Sequence, residues 1–98
     1  MDAEHGPAEL EVRRRKLLFR AWHRGMRELD LILGRFADDQ LAHLSPEELA
    51  ELEHLMEVPD CDLFAWVMGQ APVHPEYDSP LWRRLRAFHS GRSSDAKV

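Results

Sequence analysis

A charged corner around Gly25 is the part of this sequence best suited to specific recognition chemistry. Arg24 precedes the glycine, Met26 follows it, and Glu28 and Asp30 come within the next five positions. A glycine has no side chain to block the close approach of another backbone or of a ligand. Arginine and glutamate on either side could then make the polar contacts that fix orientation. We therefore interpret Arg24, Gly25, Met26, Glu28 and Asp30 as a contact surface for a partner protein.

A purely structural interpretation accounts for part of the same pattern. An arginine at the end of one helix and Glu28 in the first turn of the next would each complement a helix dipole, an effect worth about 0.3–1 kcal/mol. Gly25 would then only turn the chain. This interpretation explains poorly why Met26, Arg27 and Asp30 crowd the same place.

The residues that most often perform catalysis or bind metals form no recognisable site in this chain. The six histidines include no pair spaced four apart and no HExxH motif, so we expect them to face solvent. Cys61 lies between Asp60 and Asp62, which makes it a poor nucleophile. The sequence predicts no catalytic residue, no metal site and no phosphate-binding glycine loop.

The surroundings of the chain can be inferred from its cysteine and its termini. One cysteine cannot form an intramolecular disulfide, and a lone thiol without a CxxC motif favours a reducing compartment. The acidic N-terminus resembles neither a secretory signal nor a transit peptide. No apolar run approaches the roughly 20 residues that cross a membrane. We therefore expect a cytoplasmic protein without membrane insertion.

Charge is strongly segregated along the sequence. Residues 13–36 hold eight Lys or Arg and two acids, whereas residues 37–78 hold eleven acids and neither Lys nor Arg. Such a distribution could steer encounters with a partner. Alternatively, the blocks attract each other within the fold. The basic runs 13–16 and 83–86 could contact phosphates, but the net charge of −5 argues against nucleic acid as a partner.

The pattern of apolar residues and helix breakers predicts an all-α fold, a small antiparallel bundle of five short helices. Pro7, Gly25, Pro59, Gly69 and Gly91 mark the main boundaries. The predicted helices run from about Ala8 to Arg24, from about Met26 to Leu41, from Pro46 to Pro59, from a cap at Asp60 or Asp62 to Gly69, and from Pro80 to Gly91. We divide the chain into an extended N-terminal segment 1–12, a helical bundle domain 13–90 and a flexible tail 91–98.

Two of these helices have well-defined sequence features. Ser45, Pro46 and Glu48 form the pattern of a capping box at the start of the third helix. In the first helix, Val12, Leu18, Ala21 and Trp22 can share a buried face, with Leu17 and Phe19 beside it. The three tryptophans are expected in or near the core. The alternative is that Trp66 or Trp82 lies at an interface with a partner.

The segment Arg24-Gly25-Met26-Arg27-Glu28-Leu29-Asp30 resembles the RGxxE motif of the succinate dehydrogenase assembly factors that promote flavin attachment. The segment 59–68, PDCDLFAWVM, is similar to a second motif of that family, PDxDLxxWL. The resemblance covers about residues 13–88.

The resemblance implies a non-enzymatic chaperone that binds the flavoprotein subunit of succinate dehydrogenase, and in bacteria also that of fumarate reductase. Such a protein would assist covalent attachment of FAD to a histidine of its partner and would bind no cofactor stably itself. Arg24, Gly25 and Glu28 match the motif, and Met26 and Asp30 are adjacent. The alternative is an antitoxin-like regulatory interaction module.

Overall fold

The structure is a computed structural model that describes residues 7–96, with side chains described from Ala8 to Gly91. Residues 1–6 of the predicted N-terminal segment, including His5, lie outside the described residues, as do residues 97–98. Within the described part, the chain is helical and contains no strand, which confirms the predicted fold class. Five α-helices and two short 3₁₀ helices follow one another: α1 (Pro7–Trp22), α2 (Arg27–Gln40), 3₁₀ (Leu41–His43), α3 (Pro46–Leu55), α4 (Asp60–Val67), 3₁₀ (Pro75–Tyr77) and α5 (Pro80–Ala96).

Helices α1 and α2 form an antiparallel pair joined by the Gly25 corner. The Trp22 ring, next to the corner, lies against Gly34 of α2. Two turns earlier in α1, the Arg14 guanidinium donates hydrogen bonds to the carbonyl oxygens of Leu41 and Leu44, at 3.2 and 3.1 Å. The end of α1 therefore lies beside α2, and the earlier part of α1 lies beside the residues that follow α2, as in an antiparallel pair.

One apolar core joins all five helices. On α2, Leu29, Leu33 and Phe36 are buried, while Met26 packs against the core. Trp66 and Trp82 are only 4% exposed and meet edge to face, so both serve the core. The other buried apolar residues are Leu17, Ala21, Ala37, Leu41, Leu44, Leu49, Leu52, Leu55, Met56, Val58, Leu63, Val67, Leu81 and Leu85.

The start of α3 is as the sequence predicts. The backbone N–H of Glu48 donates to the Ser45 hydroxyl at 3.1 Å, and the Ser45 N–H donates to the Glu48 carboxylate at 2.9 Å. Pro46 occupies the first helical position, where its missing N–H costs nothing. This reciprocal capping fixes the beginning of the helix whose far end contacts the Gly25 corner.

The predicted cap of α4 is wrong. Pro59 occupies the N-cap position, without a side-chain cap hydrogen bond, and Asp60 is the first helical residue. The Asp60 carboxylate instead accepts a hydrogen bond from Arg24. Gly69 does terminate the helix region as predicted, with a φ of +76°.

The predicted end of α5 is also wrong, since the helix continues through Gly91 to Ala96. A glycine inside a helix costs only about 1 kcal/mol relative to alanine, which flanking helical residues can outweigh. The first part of the tail predicted to be flexible is therefore helical in the structure.

The buried face of α1 differs from the predicted one. Leu17 and Ala21 are buried, but Val12 is 41% exposed and Phe19 is 64% exposed. Apolar residues occur on two sides of this helix, so periodicity alone allowed two orientations. The core uses the side that carries Leu17.

The charged blocks pair with each other, as one of the two interpretations of the sequence proposes. Arg13 binds Glu53 at 2.9 Å, and Arg20 binds Glu57 at 3.2 Å. Arg84, in the basic run 83–86, forms an ion pair with Glu48 of the capping box. These ion pairs join α1 to α3 and to the residue Glu57 just after it, and join α5 to α3.

Candidate protein-docking site

The Gly25 corner is a four-residue turn between two helices. Helix α1 ends at Trp22, and α2 begins at Arg27. Gly25 has a φ of +102°, a conformation that L-amino acids with side chains rarely adopt. Met26 is extended and supplies no side-chain cap to α2. The turn therefore requires a glycine at this position and needs another group to satisfy its polar atoms.

Asp30 supplies that group from the first turn of α2. Its Oδ1 accepts a hydrogen bond from the backbone N–H of Arg24 at 2.8 Å. Its own N–H donates to the carbonyl oxygen of Met26, also at 2.8 Å. A carboxylate near a helix N-terminus is also favoured by the helix dipole. Asp30 thus holds the incoming and outgoing chains of the corner together.

The Arg24 side chain points from the corner into the bundle, where it is only 11% exposed. Its Nε donates to Asp60 Oδ1 at 2.6 Å. Its two terminal nitrogens donate to the carbonyl oxygens of Met56 and Val58, at 2.9 and 2.6 Å. A guanidinium suits this task because its planar donors can bind several acceptors at once. Arg24 therefore joins the corner to the segment between α3 and α4.

Gly25 and Glu28 face the opposite way, towards solvent. A Cβ atom placed on Gly25 would have nothing within 4 Å, so the space outside the turn is open. Glu28 is exposed and makes no hydrogen bond or ion pair in the described part of the chain. Met26 lies between the two environments, half-buried against the core. The outer side of the corner includes backbone, part of the Met26 thioether side chain, and the Glu28 carboxylate, which has no partner in the described part of the chain.

A surface depression of about 250 Å³ adjoins the corner, lined by Phe19, Arg20, His23, Arg24 and Asp60. The rings of Phe19 and His23 are stacked, with centroids 4.1 Å apart and planes 17° from parallel. His23 Nδ1 donates to the Phe19 carbonyl oxygen at 2.7 Å, which fixes the ring against the end of α1. The depression gives the corner an aromatic border.

The structure thus brings all five predicted contact residues into one corner, with different orientations. Arg24 and Asp30 make hydrogen bonds within the chain, Gly25 and Glu28 face outwards, and Met26 bridges. Whether these residues bind a partner stays a prediction. Sequence reasoning missed Asp60 as the partner of Arg24, although Asp60 lies in the second motif of the resemblance. It also placed Phe19 beside the core rather than beside the corner.

Other candidate chemistry is limited in the described residues. They contain no group of three or more His, Cys, Asp or Glu side chains arranged to hold a metal ion. Cys61 is exposed as a free thiol. No helix between residues 7 and 96 combines the length and hydropathy of a membrane span. The groups that the corner offers for recognition are the open backbone at Gly25 and the exposed carboxylate of Glu28.

The fold and the corner together define a class, that of small all-α bundles with one inter-helix turn held in place by hydrogen bonds. Comparison with known proteins makes the class specific. The family described as flavinator of succinate dehydrogenase matches residues 15–89. This chain belongs to that family.

Individual relatives agree with this assignment. The FAD assembly factor SdhE of Acetobacter pasteurianus is 40% identical over 76 residues, which cover 78% of this chain and 70% of that protein. Succinate dehydrogenase assembly factor 2 of Dictyostelium discoideum is 38% identical over 79 residues, covering 81% and 56%. That of Yarrowia lipolytica is 36% identical over 95 residues, covering 93% and 65%. Both of these are mitochondrial proteins, and the chain spans less than two thirds of either.

Proposed function

We propose that this chain binds the flavoprotein subunit of succinate dehydrogenase and promotes covalent attachment of FAD to a histidine of that subunit. The proposal includes the corresponding subunit of fumarate reductase. The main observation that supports it is the geometry of the Gly25 corner. The space outside Gly25 is open, and hydrogen bonds of Arg24 with Asp30 and Asp60 hold the turn in place. The family and the FAD assembly factor from Acetobacter pasteurianus support the choice of partner.

The corner acts in this proposal as a rigid docking point. Gly25 lets the partner's backbone come close, Met26 adds an apolar contact, and Glu28 supplies a carboxylate that has no partner among the described residues. Arg24 and Asp30 act by positioning the corner rather than through their own contacts. A preformed turn lowers the entropic cost of binding, since few groups must be ordered.

Docking would assist flavin attachment by favouring one arrangement of the partner. Covalent attachment requires a histidine and the flavin ring to be held in line, and a helper that binds the aligned state raises its population. The chemistry itself belongs to the flavin and the flavoprotein. In this proposal the chain has no enzymatic activity, holds no FAD stably and works in the cytoplasm.

The test is flavin fluorescence of the denatured flavoprotein subunit in a gel, where only covalent flavin remains visible. The subunit is produced alone, with the native chain, with Gly25→Arg and with Gly69→Arg. The two glycines form a matched pair, because both have positive φ and both substitutions add the same side chain. Circular dichroism of each variant checks that the bundle stays helical.

We expect the native chain and Gly69→Arg to strengthen the fluorescent band and Gly25→Arg to leave it at the level of the subunit alone. Equal bands with and without the native chain would overturn the proposed function. Equal loss in both variants would show that backbone strain, not the outer surface of the corner, explains the effect.

A further inference from the structure

The outward face of α1 carries two large apolar side chains that the core does not use. Val12 is 41% exposed and Phe19 is 64% exposed, and only Met68 is comparably exposed among the large apolar residues described. Val12 and Phe19 are seven residues apart, so they lie on one face of the helix, about 10 Å apart along its axis. A helix that buries Leu17 has no internal need for apolar residues on its opposite side.

The cations beside these residues are also unused. Arg15 and Lys16 are exposed and have no ion-pair partner in the described part of the chain. Neighbouring arginines of the same block do have partners: Arg13 binds Glu53, and Arg20 binds Glu57. Two unpaired cations therefore flank Val12 and Phe19, whereas the other described cations without an ion-pair partner, Arg27, Arg35 and Arg86, lie outside α1.

This face is continuous with the Gly25 corner. Phe19 stacks on His23, one turn further along, and both rings line the depression that Arg24 also lines. A partner seated on the outer side of Gly25 and extending along α1 would meet Phe19 next and then Val12. No element of the described chain covers this path, since both side chains are exposed.

We propose that Val12, Arg15, Lys16 and Phe19 form a second docking surface, here called the α1 face. It fits an apolar hollow bordered by carboxylates on the flavoprotein subunit that also receives the Gly25 corner. The inference rests on the proposed function and extends it, because it names the chemistry of the surface that the partner must offer. Apolar side chains supply affinity at such a surface, while the free cations speed encounter and set orientation.

Biolayer interferometry measures the affinity of the flavoprotein subunit for the native chain and for matched variants. Phe19→Ser is compared with Met68→Ser, because both remove an exposed apolar side chain. Arg15→Glu is compared with Arg86→Glu, because both reverse an exposed arginine without an ion-pair partner in the described residues. Gly25→Arg is included as the variant of the corner.

We expect Phe19→Ser to weaken binding about tenfold or more, as loss of a central aromatic contact does. Arg15→Glu should slow association at low ionic strength by about tenfold, with an effect that shrinks as salt is raised. Both control variants should bind within about twofold of the native chain, because scattered surface positions contribute little.

Three outcomes would overturn the inference. If Phe19→Ser and Arg15→Glu match their controls while Gly25→Arg abolishes binding, the corner is the docking site without the α1 face, and the proposed function stands. If the native chain does not bind the subunit, the proposed function and the inference fall together. If sedimentation shows that the chain alone forms dimers that Phe19→Ser disrupts, the α1 face belongs to a second copy of the chain.

Discussion

The indole ring of Trp22 lies directly over the α-carbon of Gly34. A Cβ atom placed on Gly34 would be 2.3 Å from both Cδ2 and Cε2 of the ring, closer than any real contact. The indole N–H also donates to Asp38 at 3.3 Å. Since Trp22 is the last residue of α1, this close approach sets the distance between α1 and α2 beside the Gly25 corner.

Gly34→Ala should therefore destabilise the protein even though alanine favours helices. The added methyl group must displace the Trp22 ring or separate the helices, and overpacking of this kind costs about 1–3 kcal/mol. Urea unfolding followed by circular dichroism measures the change. Gly91→Ala is the control, because Gly91 is also helical but nothing lies within 4 Å of an added Cβ. That control should be neutral or stabilising by up to about 1 kcal/mol, and equal losses in both variants would contradict the packing argument.

Arg24→Met should be among the more destabilising changes in the corner. The substitution keeps an apolar stem but leaves the carbonyl oxygens of Met56 and Val58 and the Asp60 carboxylate without their donor. Each half-buried acceptor left unpaired costs about 1–3 kcal/mol, less where water can enter. We expect a total loss of about 2–4 kcal/mol in urea unfolding.

Arg20→Met is the matched control for Arg24. Its pair with Glu57 is exposed on both sides, at 43% and 67%, and exposed ion pairs contribute about 0–1 kcal/mol. A loss of the same size for Arg20→Met and Arg24→Met would show that the buried hydrogen bonds of Arg24 add nothing to the general effect of removing an arginine.

Local sequence rules predicted the features that depend on neighbouring residues. The capping box of Ser45 and Glu48 and the helix boundaries at Gly25 and Gly69 are present as expected, because each is determined within a few residues. The five helices were predicted for the same reason.

The features that depend on distant residues were missed. Arg24 binds Asp60, which is 36 positions away in the sequence. No local pattern shows whether an arginine side chain binds such a distant partner or faces solvent. The orientation of α1 depends on which of two apolar sides meets α2, and the fit of Trp22 on Gly34 was not visible in the periodicity. Consequently the inward direction of Arg24 and the exposure of Phe19 were not predicted, and the role of the five corner residues in docking stays a prediction.

Glu28→Gln should separate docking from folding. Glu28 is exposed and has no partner among the described residues, so its loss removes only the interaction with the helix dipole, about 0.3–1 kcal/mol. If Glu28 contacts the flavoprotein, the variant should retain its helical structure but give weaker covalent flavin fluorescence. Glu47→Gln in the first turn of α3 is the control and should behave as the native chain does. Native levels of flavin attachment with Glu28→Gln would remove Glu28 from the docking surface.

Glu48 links the start of α3 to α5 through the two oxygens of its carboxylate. Its Oε1 accepts the Ser45 backbone N–H, and its Oε2 binds Arg84 at 2.7 Å. These interactions, the Ser45 hydrogen bond above all, lower the pKa of Glu48 from its ordinary value of 4.5. A carboxylate whose pKa is lower in the folded state stabilises the fold above the unfolded pKa. That contribution is lost as pH falls through the folded pKa.

Glu48→Gln should therefore reduce the acid sensitivity of the protein. Glutamine can still accept the Ser45 N–H, so the cap remains, but it cannot bind a proton or pair with the Arg84 charge. At pH 7 the native chain should be the more stable, and the difference should shrink as pH falls below about 4.5, the ordinary value for this carboxyl. Urea unfolding between pH 7 and pH 3 measures both curves. Glu47→Gln is the control, because Glu47 is a neighbouring acid without a hydrogen-bond partner in the described residues. The difference in free energy of unfolding between this variant and the native chain should not change with pH. A constant gap for Glu48→Gln would show that the ionised carboxylate contributes nothing beyond the cap.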